Sequence, residues 1–243
     1  MKKSKLKLLF VGDSITRGRL GVSYVDIVQK RFPSYEITNL GRDGETINLV
    51  FLRLFEHLKK TSDYDYIFFA GGLVDAVFPS FLEKGKMFEF AYWVQEKKGI
   101  IAKSNSIDFY EYYKSNIIDL KSICSANIVL VTLNCCNEKL DYKYNLVRDQ
   151  FNAEIKKIVA EEKLFLADAA KEVNQYLSGK NQRQYSFENF WTVTYTDKLF
   201  TLFNSGADWL SQLRKLHTTI DGIHLNSKGA ELFAKSVIEV LEI

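Results

Sequence analysis

Residues 8–16 read Leu-Leu-Phe-Val-Gly-Asp-Ser-Ile-Thr. Leu8–Val11 is an apolar run of strand length, Gly12-Asp13 is a turn signal, and a helix-like segment follows. The stretch predicts a buried strand whose carboxyl end presents one serine, Ser14. In an open parallel α/β sheet, ligands bind outside the carboxyl ends of the strands. Ser14 is therefore a candidate site residue. A serine there also reads as a plain helix N-cap. Asp13 is expected to fix the geometry of the turn rather than to take part in chemistry.

The far end of the chain favours chemistry. Asp221-Gly222-Ile223-His224-Leu225-Asn226 lies just before the last helical segment. Asp221 and His224, three apart, can share a turn and hydrogen-bond. A serine hydroxyl is a weak nucleophile until a base takes its proton. A carboxylate on the far ring nitrogen holds the imidazole tautomer and steadies the imidazolium. Ser14, His224 and Asp221 thus supply a nucleophile, a base and its orienter.

With Gly-Asp-Ser-Ile-Thr near one end and Asp-Gly-Ile-His near the other, the chain resembles the SGNH hydrolases, also called GDSL esterases and lipases. A middle block, Asn39-Leu40-Gly41-Arg42-Asp43-Gly44-Glu45-Thr46, follows a second strand-like run and is similar to the family's second block. The resemblance covers about residues 5–75, 126–170 and 215–243. It implies a three-layer α/β/α, flavodoxin-like fold with five parallel strands in the order 2-1-3-4-5. It also implies an oxyanion hole built from the backbone N–H groups of Ser14 and Gly44.

The third block departs from the family pattern, Gly-x-Asn-Asp. Here the chain has Gly71-Gly72-Leu73-Val74-Asp75, so Leu73 stands where the family has its oxyanion-hole asparagine. Losing one such donor typically costs about 10²–10³ in turnover. Asp75 is a candidate for part of the role, although an ionised carboxylate cannot donate. Asn134, at the end of another strand-like run, is a candidate replacement donor, against its plain reading as a turn residue. The site-lining candidates are therefore Asp13, Gly72, Leu73, Asp75 and Asn134.

Strand-like runs alternate with helical patterns along the rest of the chain. Strands are expected over about Lys5–Gly12, Tyr35–Leu40, Asp65–Ala70, Asn127–Leu133 and Leu164–Ala167. Helices are expected over about Val22–Arg31, from Ile47 to Leu58, Asp108–Cys124, Tyr142–Glu161 and after Asn226, a good N-cap. This alternation predicts a parallel sheet with helices on both faces. One domain, 1–243, is expected, with insertions at about 76–107 and 178–215. Both are rich in aromatic residues, the second including Phe187, Phe190, Trp191, Phe200 and Trp209. The first reads as a small helical core or a wall over the acyl pocket; the second reads as a substrate-facing insert or a homo-oligomer contact.

Composition excludes other classes. The net charge of +3, from 33 basic and 30 acidic residues, does not call for a nucleic-acid partner. No run approaches the roughly 20 apolar residues of a membrane span. The basic start, Met1–Lys7, is followed by too short an apolar run for a signal peptide, so a cytoplasmic protein is expected. Cys124, Cys135 and Cys136 suggest neither a disulfide framework nor a zinc site; His57 reads as a surface or edge histidine, and His217 as a structural histidine or one that supports the site from behind. No metal or cofactor is expected.

The expected function is a serine esterase cleaving a short acyl or acetyl ester of a small molecule or carbohydrate through an acyl-enzyme. Rival readings are an O-acyltransferase with the same triad and a non-catalytic binding protein on the same fold.

Overall fold

The computed structural model describes residues 5–103, 105–185, 192–201 and 203–243. Phe187, Phe190 and Trp191 lie outside the described residues. Strands β1 (Lys7–Gly12), β2 (Glu36–Asn39), β3 (Tyr66–Ala70), β4 (Asn127–Val131) and β5 (Phe165–Ala167) form one sheet. Its order is β2-β1-β3-β4-β5, and every neighbouring pair is parallel, as the alternation and the resemblance led one to expect.

The helices, in chain order, are α1 (Ser14–Arg17), α2 (Tyr24–Arg31), α3 (Ile47–Leu58) and α4 (Leu73–Val77). A 3-10 helix, Phe78–Glu83, continues α4 and leads to α5 (Lys86–Lys97). Then come α6 (Ser106–Ile123), α7 (Lys143–Glu162) and α8 (Ala169–Ser178). A π-helical turn, Thr192–Asp197, precedes the short α9 (Lys198–Phe200), α10 (Asn204–Leu213) and α11 (Ser227–Leu241).

Successive side chains of a strand point to opposite faces, and β3 shows what each face meets. Phe68 stacks on Phe10 of β1, which meets Tyr24 of α2; Tyr24 in turn meets Phe233 of α11. Its neighbour Phe69 packs against Phe51 of α3 and Tyr113 of α6. Phe109 of α6 stacks on Phe151 of α7, extending that second layer. Helix α8 packs on α11 in the first. Burying each such ring contributes about 1.5–3 kcal/mol, so both layers are tied to the sheet by its central strands.

Several element ends differ from the sequence reading by one or two residues, and for two of them a local hydrogen bond gives the reason. The helix expected from Val22 begins at Tyr24, because Ser23 Oγ accepts the Asp26 N–H at 3.1 Å and caps it. Strand β4 stops at Val131 rather than Leu133. The Leu133 N–H turns to Asn152 Oδ1 (2.7 Å) and its carbonyl accepts from Asn152 Nδ2 (3.2 Å), so α7 takes over what the ladder would have bonded.

Gly12 closes β1. A Cβ there would lie 2.3 Å from Thr16 Oγ1 and 2.6 Å from the Ala70 carbonyl. Only glycine lets the strand end, the first turn of α1 and β3 come so close.

Candidate active site

The site lies at the carboxyl end of β1. Asp13, rather than Ser14, caps α1: its Oδ1 accepts the Ile15 N–H at 3.0 Å. Ser14 is thereby the first helical residue, and its hydroxyl is free to face the other end of the chain. Ser14 Oγ lies 2.9 Å from His224 Nε2. His224 Nδ1 lies 2.7 Å from Asp221 Oδ2. The other oxygen, Asp221 Oδ1, accepts the N–H groups of Ile223 (3.0 Å) and His224 (2.8 Å). All three residues are buried.

Burial pushes the Asp221 carboxyl up, but the His224 charge and the N–H donors outweigh it and hold the group below the ordinary range. Burial pushes His224 down, but the Asp221 carboxylate outweighs that and holds the imidazole above its ordinary value. For Asp13 burial wins: its carboxyl is pushed up to about 6.

The loop carrying Asp221 and His224 is fastened on several sides. Thr219 and Leu225 form an antiparallel bridge, and Asn226 Oδ1 caps α11 at the Gly229 N–H, 2.9 Å away. Beneath it sits Glu138, which the sequence reading missed. Its fully buried carboxylate accepts the N–H groups of His217, Thr218 and Thr219 and both threonine hydroxyls, at 2.7–3.0 Å. Several N–H and hydroxyl donors on one carboxylate leave the loop little freedom.

Residues 39–46 are held just as firmly against α1. Asn39 donates to the Thr16 carbonyl and accepts from the Gly41 N–H, both at 2.8 Å, and Arg17 pairs with Asp43 at 2.6 Å. Arg53, projecting from α3, was also not foreseen. It donates to Glu45 Oε2 (2.9 Å from Nε), to the Gly12 carbonyl (3.0 Å) and to the Leu40 carbonyl. One guanidinium therefore ties the ends of β1 and β2 to the Gly44 turn. Arg53→Met would leave the buried Glu45 carboxylate without its main partner, at a cost of about 3–5 kcal/mol. The expected result in a thermal melt is a Tm lower by on the order of 10 °C; an unchanged Tm would show that this node does not hold the turn.

A cavity of about 330 Å³ opens beside Ser14 and His224. Asp13, Gly44 and Leu73 border it, as does Asp43. Gly44 has φ +71°, a conformation that favours glycine, and a Cβ there would meet nothing within 4 Å. Among the described residues its N–H donates to no protein acceptor.

Three sequence candidates lie elsewhere. Asp75 turns away from the cavity: Oδ2 accepts the Ile47 N–H and Oδ1 the Lys103 N–H, both at 2.8 Å. It serves as the side-chain cap of α3, where Thr46 makes no cap bond, and burial pushes its carboxyl up to about 7. Asn134 donates to the Ile223 carbonyl at 2.6 Å, so its amide steadies the His224 loop, and it does not border the cavity. Gly72 caps α4 and packs against Phe109 without bordering the cavity. His217 bonds the Asn181 carbonyl and His57 the Tyr64 hydroxyl. Cys135 and Cys136 are buried free thiols.

The two aromatic segments meet the cavity too. Val77, Phe78, Phe81 and Gln95 border it from the first and Lys198 from the second. Among the described residues no cluster of three or more His, Cys, Asp or Glu could hold a metal ion, and no helix is long and apolar enough to cross a membrane.

Fold and site together define an α/β protein of SGNH type with a serine and a histidine facing one cavity. The family described as GDSL-like Lipase/Acylhydrolase matches residues 8–237. The chain belongs to that family and is a carboxylic ester hydrolase. Among solved structures it is similar to an acetylxylan esterase from Geobacillus stearothermophilus, at 19% identity and a TM-score of 0.66, covering 100% of this chain and 97% of that one. A catalytic mutant of that esterase, with a serine changed to alanine, matches at 18% identity and a TM-score of 0.65 over 98% and 95% of the two chains. An α/β hydrolase from the metagenome of Lake Arreo, Spain, matches at 15% identity and a TM-score of 0.64 over 98% and 95%. A search of curated proteins finds no significant match.

Proposed function

We propose that the protein hydrolyses a carboxylic ester through an acyl-enzyme on Ser14. The observation that carries this is the chain of contacts Ser14 Oγ–His224 Nε2–Asp221, at 2.9 and 2.7 Å, at the edge of the cavity. His224 takes the Ser14 proton as Oγ bonds to the ester carbonyl carbon. It then gives that proton to the departing alkoxide as the carbon–oxygen bond breaks. Water, deprotonated by the same imidazole, attacks the acyl-serine; His224 returns the proton to Oγ, and the carboxylic acid leaves. Asp221 keeps Nδ1 protonated, so Nε2 presents its lone pair to Ser14.

The oxyanion is held by the backbone N–H groups of Ser14 and Gly44. The support is that both residues border the cavity and the Gly44 N–H is uncommitted. With Leu73 in the third-block position, no side-chain donor from the end of β3 joins them. The alcohol is a small molecule or a carbohydrate, the latter being the class on which the similar acetylxylan esterase acts.

The test is the pre-steady-state hydrolysis of 4-nitrophenyl butanoate. An accumulating acyl-enzyme gives a burst of nitrophenolate equal to the enzyme concentration, absent in Ser14→Ala. Turnover that persists in Ser14→Ala would remove the proposal.

A further inference from the structure

Two features of the cavity have no part in the triad chemistry. The first is its wall. Leu73, Val74, Val77, Phe78 and Phe81 all border it. They recur at the spacing of one helical face along α4 and the 3-10 helix that continues it. Ile223 and Leu20 add apolar surface elsewhere in the lining. The wall therefore begins at Leu73, where the family pattern has an amide, and it offers an incoming group almost only hydrocarbon and rings. An acetyl group would leave most of it uncovered.

The second feature is at the rim. Arg19 and Lys198 both border the cavity, and the Thr201 hydroxyl lies between their carbonyls. Thr201 Oγ1 lies 3.5 Å from the Arg19 carbonyl and 3.4 Å from the Lys198 carbonyl. Among the described residues neither cation has a carboxylate partner within 4.0 Å. The nearby acids are engaged: Asp43 pairs with Arg17, and Asp13 caps α1 from a buried position. The lining thus carries, around one serine, an apolar wall and two rim cations that no carboxylate approaches within 4.0 Å, while its own acids, Asp13 and Asp43, are held by the α1 cap and by Arg17.

We infer that the substrate joins an acyl chain longer than acetyl to an alcohol bearing an anionic group, a phosphate or a carboxylate. The chain lies along the Leu73–Phe81 wall, and the anion meets Arg19 and Lys198. This rests on the Ser14 reading above. It narrows the acyl group away from acetyl and gives the alcohol a charge.

The full-length enzyme is assayed with 4-nitrophenyl acetate, butanoate and hexanoate, and with hexanoyl esters of glycerol, glycerol phosphate and glycerate. Along the nitrophenyl series, kcat/KM is expected to rise about fourfold per added methylene. Val77→Phe, which fills the wall, is expected to move the preference back toward acetate; the wild-type series decides the point if that variant does not fold. The two anionic hexanoyl esters are expected to exceed the glycerol ester. Their advantage should fall about five- to tenfold in the double variant R19Q/K198Q and shrink with added salt. The phosphate and glycerate arms tell which anion is preferred. Acetate as the best acyl group, or an anionic advantage that the double variant leaves intact, would overturn the inference while Ser14 turnover stands. If no ester is turned over and Ser14 is not acylated, the Ser14 reading falls and takes this inference with it.

Discussion

Ser14→Ala is expected to lower kcat for ester hydrolysis by about 10⁴- to 10⁶-fold while leaving the fold intact. The size follows from the absence of a substitute nucleophile among the described residues that border the cavity. No cysteine or second serine is there, and a residual rate has only the oxyanion donors and binding to draw on. The fold should not notice the change. Among the described residues the Ser14 side chain bonds only His224, and α1 is capped by Asp13. The paired measurements are single-turnover hydrolysis and a thermal melt. A large rate loss at unchanged Tm is the expected result; a loss of both would mean that the hydroxyl is structural.

Asp221→Asn is expected to cost about 10⁴ in kcat, and the hydrogen bonds around the residue say why. Asp221 uses one oxygen for two backbone N–H groups and the other for His224 Nδ1. An asparagine has one acceptor oxygen, and those N–H groups will hold it. Its NH₂ then faces Nδ1, which must become an acceptor, and the ring proton moves to Nε2, facing Ser14. The base is thereby in the wrong tautomer.

The same substitution also fixes a pH shift. Neutral His224 is the active form, and its folded pKa is raised, with Asp221 outweighing burial. In the wild type, kcat/KM should therefore fall as pH drops through a value above about 6.5. Without that carboxylate, only the more weakly acting Asp13 and Asp43 oppose burial, so the acid limb of Asp221→Asn should lie at lower pH. An acid limb that stays in place would separate it from His224.

The parallel sheet could be read from the sequence because most strands are short apolar runs, set off by turn residues from helices with their own periodicity. Ser14, Asp221 and His224 could be picked out because each belongs to a short local pattern, though 210 residues separate the serine from the histidine. The placing of other polar residues depends on partners that no local pattern names. Asn134 reaches a carbonyl 89 residues away, and Asp75 an N–H 28 residues away. Glu138 holds a loop 80 residues downstream. Each is a polar side chain after or near a strand end, where a site residue and a buried brace look alike in sequence. Only the fold says which way the side chain turns. Ser14 shows the same ambiguity resolved differently: the cap expected of it is made by its neighbour Asp13, which frees the hydroxyl.

The most direct test of Ser14 as the attacking group is reaction with an alkyl fluorophosphonate, followed by intact mass and peptide mapping. An activated serine displaces fluoride and keeps the phosphonyl group. One label per chain is expected, on Ser14, lost in Ser14→Ala and slowed in His224→Ala. A wild-type chain that stays unlabelled, or a label on another residue, would contradict it.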